Sequence, residues 1–179
     1  MDTGLLVLRV VVGLLLVGHG AQKLFGWFGG GGLTATAWFF RSVGYWPPRL
    51  MARVVGGAEL VGGAAFTVGL GTPVAAAVVI GAMLNAAVAV HTRNRLLTVD
   101  GGYEYPLVAA TVAATLGFTG AGAASLDATL GRGGASVESG LFFVALGLLA
   151  AVGVFLSRAA ARSETRPASK LSPVKKVAA

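Results

Sequence analysis

Long apolar runs constrain this chain more than any other feature of its sequence. Leu5 to Gly18 is almost unbroken Leu, Val and Gly, and four comparable runs follow. We place spans at residues 3–24, 50–71, 73–92, 105–121 and 137–157. A helix rises ~1.5 Å per residue, so about 20 apolar residues cross a ~30 Å hydrocarbon layer. The runs do not alternate polar and apolar residues, as barrel strands would. Only 12% of the residues are charged, about half of what a soluble domain carries. The expected fold is an all-α membrane protein. A four-helix transmembrane core occupies residues 1–130, and an extra C-terminal span occupies 131–157. "GTP" at 71–73 joins the second and third spans, with Gly71 ending one helix and Pro73 starting the next. These two spans therefore form an antiparallel hairpin.

Residues 29–48 are too polar and broken to span, and about 33–45 reads as an interfacial amphipathic helix stopped by Pro47-Pro48. The last segment, 158–179, holds six Lys or Arg and reads as a basic, disordered cytoplasmic tail. With the N-terminus outside and the C-terminus in the cytoplasm, twelve of the fourteen Lys and Arg lie inside, as the positive-inside rule requires. The net charge of +7 thus reads as membrane topology rather than nucleic-acid binding. "MDTG" lacks the positive start of a cleaved signal, so the first run is expected to stay as a span. The absence of cysteine removes thiol redox chemistry and thiolate metal sites, and no metal centre is expected. All three Trp and all three Tyr lie in or beside the two inside loops.

An Arg, Lys or Asp near the centre of a span costs about 2.5–3.5 kcal/mol on insertion scales. Such a group needs a partner, a route to water, or a function. Arg9, His19, Lys23, Glu59, Asn85 and His91 lie in or at the spans. Glu59 sits roughly 13 Å in from the inside face, and Asn85 roughly 9 Å deeper than His91. Arg9, Gly13, Gly20 and Lys23 share one stripe of the first span, with His19 at its edge. Gly56, Glu59 and Gly63 share a stripe on the second, and Gly81, Asn85 and Ala89 on the third. Small residues allow close helix packing in a membrane, so the polar groups lie on packing faces. Bland readings stand beside the functional ones. Arg9 either snorkels outward or forms a structural ion pair with Glu59; Lys23 anchors a helix end; Asn85 is interhelical glue; His91 is an interfacial residue. Glu104 complements the start of the fourth span, and Tyr103 and Tyr105 sit at headgroup level, where they could flank a flat ring.

Three pieces carry a family resemblance: "LRVVVGLLLVGHGAQKLFGWFGG" at 8–30, "GGAELVGGAAFTVGL" at 56–70 and "GGYEYPLVAA" at 101–110. Over about residues 4–130 the chain resembles the DoxX family of small bacterial membrane proteins. The resemblance implies a four-helix core in the bacterial cell membrane and a link to quinone-dependent redox systems. It implies that Arg9, His19, Lys23, Glu59, His91 and Glu104 are the characteristic polar positions. The leading expectation is a membrane component of a quinone-linked oxidoreductase that binds menaquinone or ubiquinone in an inner-leaflet polar pocket. His19 and Glu59 are the candidate catalytic residues, with Glu59 relaying a proton. His19, Lys23, Asn85, His91, Tyr103 and Tyr105 are the candidate cofactor-binding residues. Expected partners are the lipid bilayer, quinone, and either other redox subunits or further copies of the chain. A non-catalytic anchor for a soluble oxidoreductase is the main alternative. Haem ligation by His19 and His91 and small-solute transport rank lower.

Overall fold

A computed structural model describes residues 2–88, 96–97, 99, 101–132, 134 and 136–164. Among these residues all regular structure is helical. Helix α1 (Asp2–Phe25) ends at a short 3-10 turn, and α2 (Gly32–Ser42) follows it. Next come α3 (Pro48–Val68), α4 (Thr72–Ala86), α5 (Glu104–Thr119), the single-turn α6 (Leu126–Thr129) and α7 (Val137–Glu164). Helices α1 and α3, together with Val137–Leu156 of α7, are long and apolar enough to cross a membrane; α4 is a shorter apolar helix. Their outward faces expose large apolar side chains, among them Val11, Leu15, Val54, Val61, Leu141 and Leu149, as a lipid-facing surface does.

The sequence punctuates these helices as expected. Proline occupies the first turn of both α3 and α4. Gly69 and Gly71 take left-handed backbone angles, φ 67° and 58°, which glycine adopts without the steric cost of a Cβ. The Leu70 N–H bonds back to Ala65 O at 2.9 Å and closes the end of α3. The antiparallel hairpin of α3 and α4 follows from this turn.

Two seams of small residues organise the packing. In the first, α1 lies against α3. A Cβ on Gly13 would come within 2.6 Å of Gly63 O, and one on Gly20 within 2.7 Å of Gly56 O. The two glycine stripes thus meet and set the register of the pair. In the second, α4 lies against α7. A Cβ on Gly147 would meet Ala77 O at 2.8 Å, and one on Gly81 would meet Gly147 O at 3.3 Å. Helix α4 is apolar all round and buried on nearly every face, because α3, α5 and α7 surround it.

The described part of α7 corrects one expectation. The helix does not give way to a tail at residue 158 but continues to Glu164. Arg158 is buried, donates from Nε to Val43 O at 2.6 Å and lies 5.4 Å from the centre of the Tyr45 ring. A cation that satisfies a carbonyl and stacks on an aromatic face is stable where a free one would not be. Residues 165–179, like Ala89 of the α4 stripe, lie outside the described residues.

At one end of the bundle α6 folds back over the α3–α4 turn. Asp127 accepts hydrogen bonds from Gly71 N at 2.8 Å and Thr72 N at 2.9 Å, and its own N–H donates to Gly69 O at 2.8 Å. Burial opposes ionisation of the Asp127 carboxyl. The backbone hydrogen bonds from Thr72 and Gly71, with the charge of Arg132, outweigh burial and hold it below the ordinary carboxylate range. Arg9 completes this knot. Its Nη1 donates to Thr67 O at 3.0 Å and Phe66 O at 3.4 Å, and its Nη2 to Ala124 O.

Candidate functional site

The opposite end of the bundle gathers most of the polar residues singled out in the sequence. Lys23, in the last turn of α1, forms a hydrogen-bonded salt bridge with Glu59 of α3. Glu59 is only 2% exposed, whereas the Lys23 side chain is 31% exposed. The expected Arg9–Glu59 pair is therefore incorrect. Side chains lean toward the N-terminus of their own helix. In an antiparallel pair with Gly20 on Gly56, Lys23 and Glu59 lean toward each other. Arg9 leans away, into the knot at the far end.

Two cavities meet at this pair and share Lys23, Glu59 and Ala86 in their walls. The first, of 410 Å³, lies toward α2 and is lined by Phe39, Phe40, Tyr45, Val55 and Asn85 among others. The second, of 380 Å³, lies toward α5 and is lined by His19, Met83, Gly102, Tyr105 and Pro106. The ion pair is thus a partition with an apolar chamber on each side. A buried pair of this kind has low intrinsic value to stability against an apolar replacement.

The two chambers differ in what their polar groups have left to offer. Tyr45 Oη donates to Asn85 Oδ1 at 2.7 Å, and Asn85 Nδ2 donates to Ala151 O at 2.9 Å. Thr36 Oγ1 donates to Lys23 O at 3.1 Å, satisfying a carbonyl at the end of α1. Beside Lys23 and Glu59, the polar lining of the first chamber is committed to joining α2 to α1 and the linker after α2 to α4 and α7. In the second chamber the rings of His19 and Tyr105 stand 4.7 Å apart at 45°, and Tyr105 Oη is buried with no hydrogen-bond partner among the described residues. An unmade hydrogen bond on a buried hydroxyl costs about 1–3 kcal/mol. A molecule that accepts a hydrogen bond there would relieve that cost.

The sequence-predicted residues therefore separate. His19, Lys23, Glu59 and Tyr105 converge on the second chamber. Asn85 lines the first chamber and serves as glue between α4 and α7. Tyr103 stands at the N-cap of α5 and lines neither chamber, and Glu104 opens that helix. His91 lies outside the described residues, and with it the second ligand of a His19–His91 haem. Tyr45 lies in one of the inside loops that hold the Trp and Tyr residues, but it is 3% exposed and belongs to the buried network. Its place among exposed Trp residues concealed this. Phe39 and Phe40 of α2 were also missed as lining residues; the amphipathic spacing that buries Ala37 and Phe40 was the available signal.

A model of the DoxX family matches residues 4–92. That match takes in Arg9, His19, Lys23, Glu59 and Asn85 and stops short of 101–110. A protein of Bacillus subtilis (strain 168) named "Putative oxidoreductase CatD" is 28% identical over 132 residues, covering 74% of this chain and 90% of that protein. No solved structure matches the chain.

Proposed function

The chain belongs to the DoxX family of membrane proteins, and from that premise we propose that it is the membrane component of an oxidoreductase system and binds a quinone in the chamber between α1, α3 and α5. The observation that carries this reading is the unpartnered Tyr105 hydroxyl, buried in a chamber that also holds Lys23, Glu59 and His19. A quinone ring is flat and apolar with two carbonyl acceptors. Such a ligand fits an apolar cavity that offers a few aimed donors. Tyr105 Oη–H and Lys23 Nζ–H are those donors, and the tilted His19 and Tyr105 rings form an aromatic wall. The volume of 380 Å³ suits a head group rather than a whole isoprenoid chain. The apolar tail would leave between helices toward lipid.

A bound quinone takes up two electrons and two protons from the system it serves. The protein's part is to hold and deliver the protons. Glu59 is the carboxyl placed for this, because it is buried in the chamber wall and hydrogen-bonded to a lysine whose side chain reaches solvent. Lys23 links the inside of the chamber to water. Proton transfer by a positioned side chain accelerates a reaction by about 10²–10⁴-fold. Partner oxidoreductase chains would supply the electrons, in keeping with the name of the Bacillus subtilis relative.

The test uses purified protein in lipid nanodiscs. Saturable binding of a short-chain quinone is expected, with reduction of that quinone by a native-membrane fraction dependent on the protein. Glu59→Gln should slow that reduction at least tenfold while binding persists. An absence of both saturable binding and co-purified quinone would reject the quinone reading and leave a membrane anchor.

A further inference from the structure

A groove unrelated to the two chambers lies where α2 turns into α3. It has a volume of 320 Å³, and its walls include Thr34, Trp38, Arg41, Trp46 and Arg49. Thr34, Trp38 and Arg41 follow one another at i, i+4 and i+7, so they form one face of α2. Ala37 forms the floor of the groove beside them, and Phe40 turns away from it into a buried cluster with Tyr45 and Ala52. Trp46, Pro47, Pro48 and Arg49 supply the other wall. Two arginines thus share a groove whose lining, among the described residues, contains no carboxylate. Trp38 and Trp46 are 70% and 64% exposed, the position of indoles that sit at the headgroup level of a bilayer.

We propose that this groove is a binding site for the headgroup of an anionic phospholipid. The guanidinium fork matches a phosphate bidentately, and two arginines call for a headgroup of net negative charge. The exposed indoles select lipid over a free anion. An inorganic phosphate between the arginines would leave both indole faces in water, whereas a lipid covers them with its glycerol and upper acyl carbons. The site is at the junction that also presents Phe39, Phe40 and Tyr45 to the inner chamber, so a seated lipid fixes α2 on the bundle. The proposal is independent of what the chambers bind.

Tryptophan quenching by brominated lipids tests it, in nanodiscs of the full chain with Trp27→Phe to remove the third indole. Brominated phosphatidylglycerol should quench more strongly than brominated phosphatidylcholine at equal mole fraction. Each cation near a membrane surface contributes about 1 kcal/mol toward anionic lipid, or about fivefold in affinity. The double variant Arg41→Gln/Arg49→Gln should abolish the preference. Arg53→Gln, one turn further along α3 and outside the groove, should keep it. Because screening weakens the attraction, the preference in the unmodified arginine pair should also shrink as salt is raised, which requires no charge variant to fold. Equal quenching by the two lipids, a preference surviving in the double variant, or its equal loss in Arg53→Gln would each overturn the site. So would displacement of the lipid preference by millimolar inorganic phosphate, which would make it a free-anion site.

Discussion

The two ends of this bundle bury charge in opposite ways. At the end capped by α6, Arg9 spends its guanidinium on the carbonyls of Phe66, Thr67 and Ala124. Asp127 spends both oxygens on the backbone N–H groups of Gly71 and Thr72. These groups are structural fasteners that close helix ends. At the other end Lys23 and Glu59 satisfy each other, but they face two chambers and a tyrosine hydroxyl without a partner among the described residues. The comparison shows that a charge inside a span is not by itself a sign of function. What distinguishes the ends is what the charges bond: backbone groups at the α6 end, and each other, between two cavities, at the other.

If that distinction holds, stability and activity should respond inversely along the bundle. Arg9→Ala should have the largest effect on stability, about 3–5 kcal/mol, because it strips charged hydrogen bonds from buried carbonyls at once. Thermal unfolding in detergent checks this, and an unchanged midpoint would erase the contrast. Asp127→Asn comes next at about 1–3 kcal/mol and carries a pH signature. Its folded carboxyl sits below the ordinary range, so its contribution is full above an unfolded pKa of about 3.9 and is lost as pH falls through the lower folded value. The Asp127-dependent part of the melting temperature should be flat from neutral pH to about pH 5 and fall below pH 4, and Asp127→Asn should remove it. Glu59→Gln should cost less than about 1.5 kcal/mol, since Lys23 keeps an acceptor and reaches water, while the quinone reduction of the proposed function falls. A loss as large as that of Arg9→Ala would show the inner pair to be a fastener too. Tyr105→Phe should destabilise least. The hydroxyl makes no bond among the described residues, so its removal should leave stability unchanged or raise it by up to about 1–3 kcal/mol, while quinone affinity drops about five- to tenfold for one hydrogen bond.

Much of the fold was legible because membrane helices leave few alternatives. The apolar runs, the Gly71–Pro73 turn and the glycine stripes of α1 and α3 each follow from a local rule, and the helices and contacts carry them out. Pairing across the seam was harder. Periodicity places Arg9, Lys23 and Glu59 on facing stripes, and on that basis Arg9 is as good a partner as Lys23. Register and the lean of side chains decide between them, and register follows only from the glycine contacts. Asp127 was invisible for another reason. It sits in "TGAGAASLDATLGRGGAS", whose composition reads as a plain spacer, and its role depends on folding back across 56 positions to Gly71. Tyr45 and Arg158 look by local composition like parts of a loop and a tail, whereas their partners are distant in sequence.

The bond between Asn85 and Ala151 has a consequence in time. The two residues are 66 positions apart, so α4 enters the bilayer well before α7 has been synthesised. Until α7 arrives, the Asn85 side-chain N–H that it will receive has to find another acceptor, so the bonding of α4 is completed by a helix made 66 positions later.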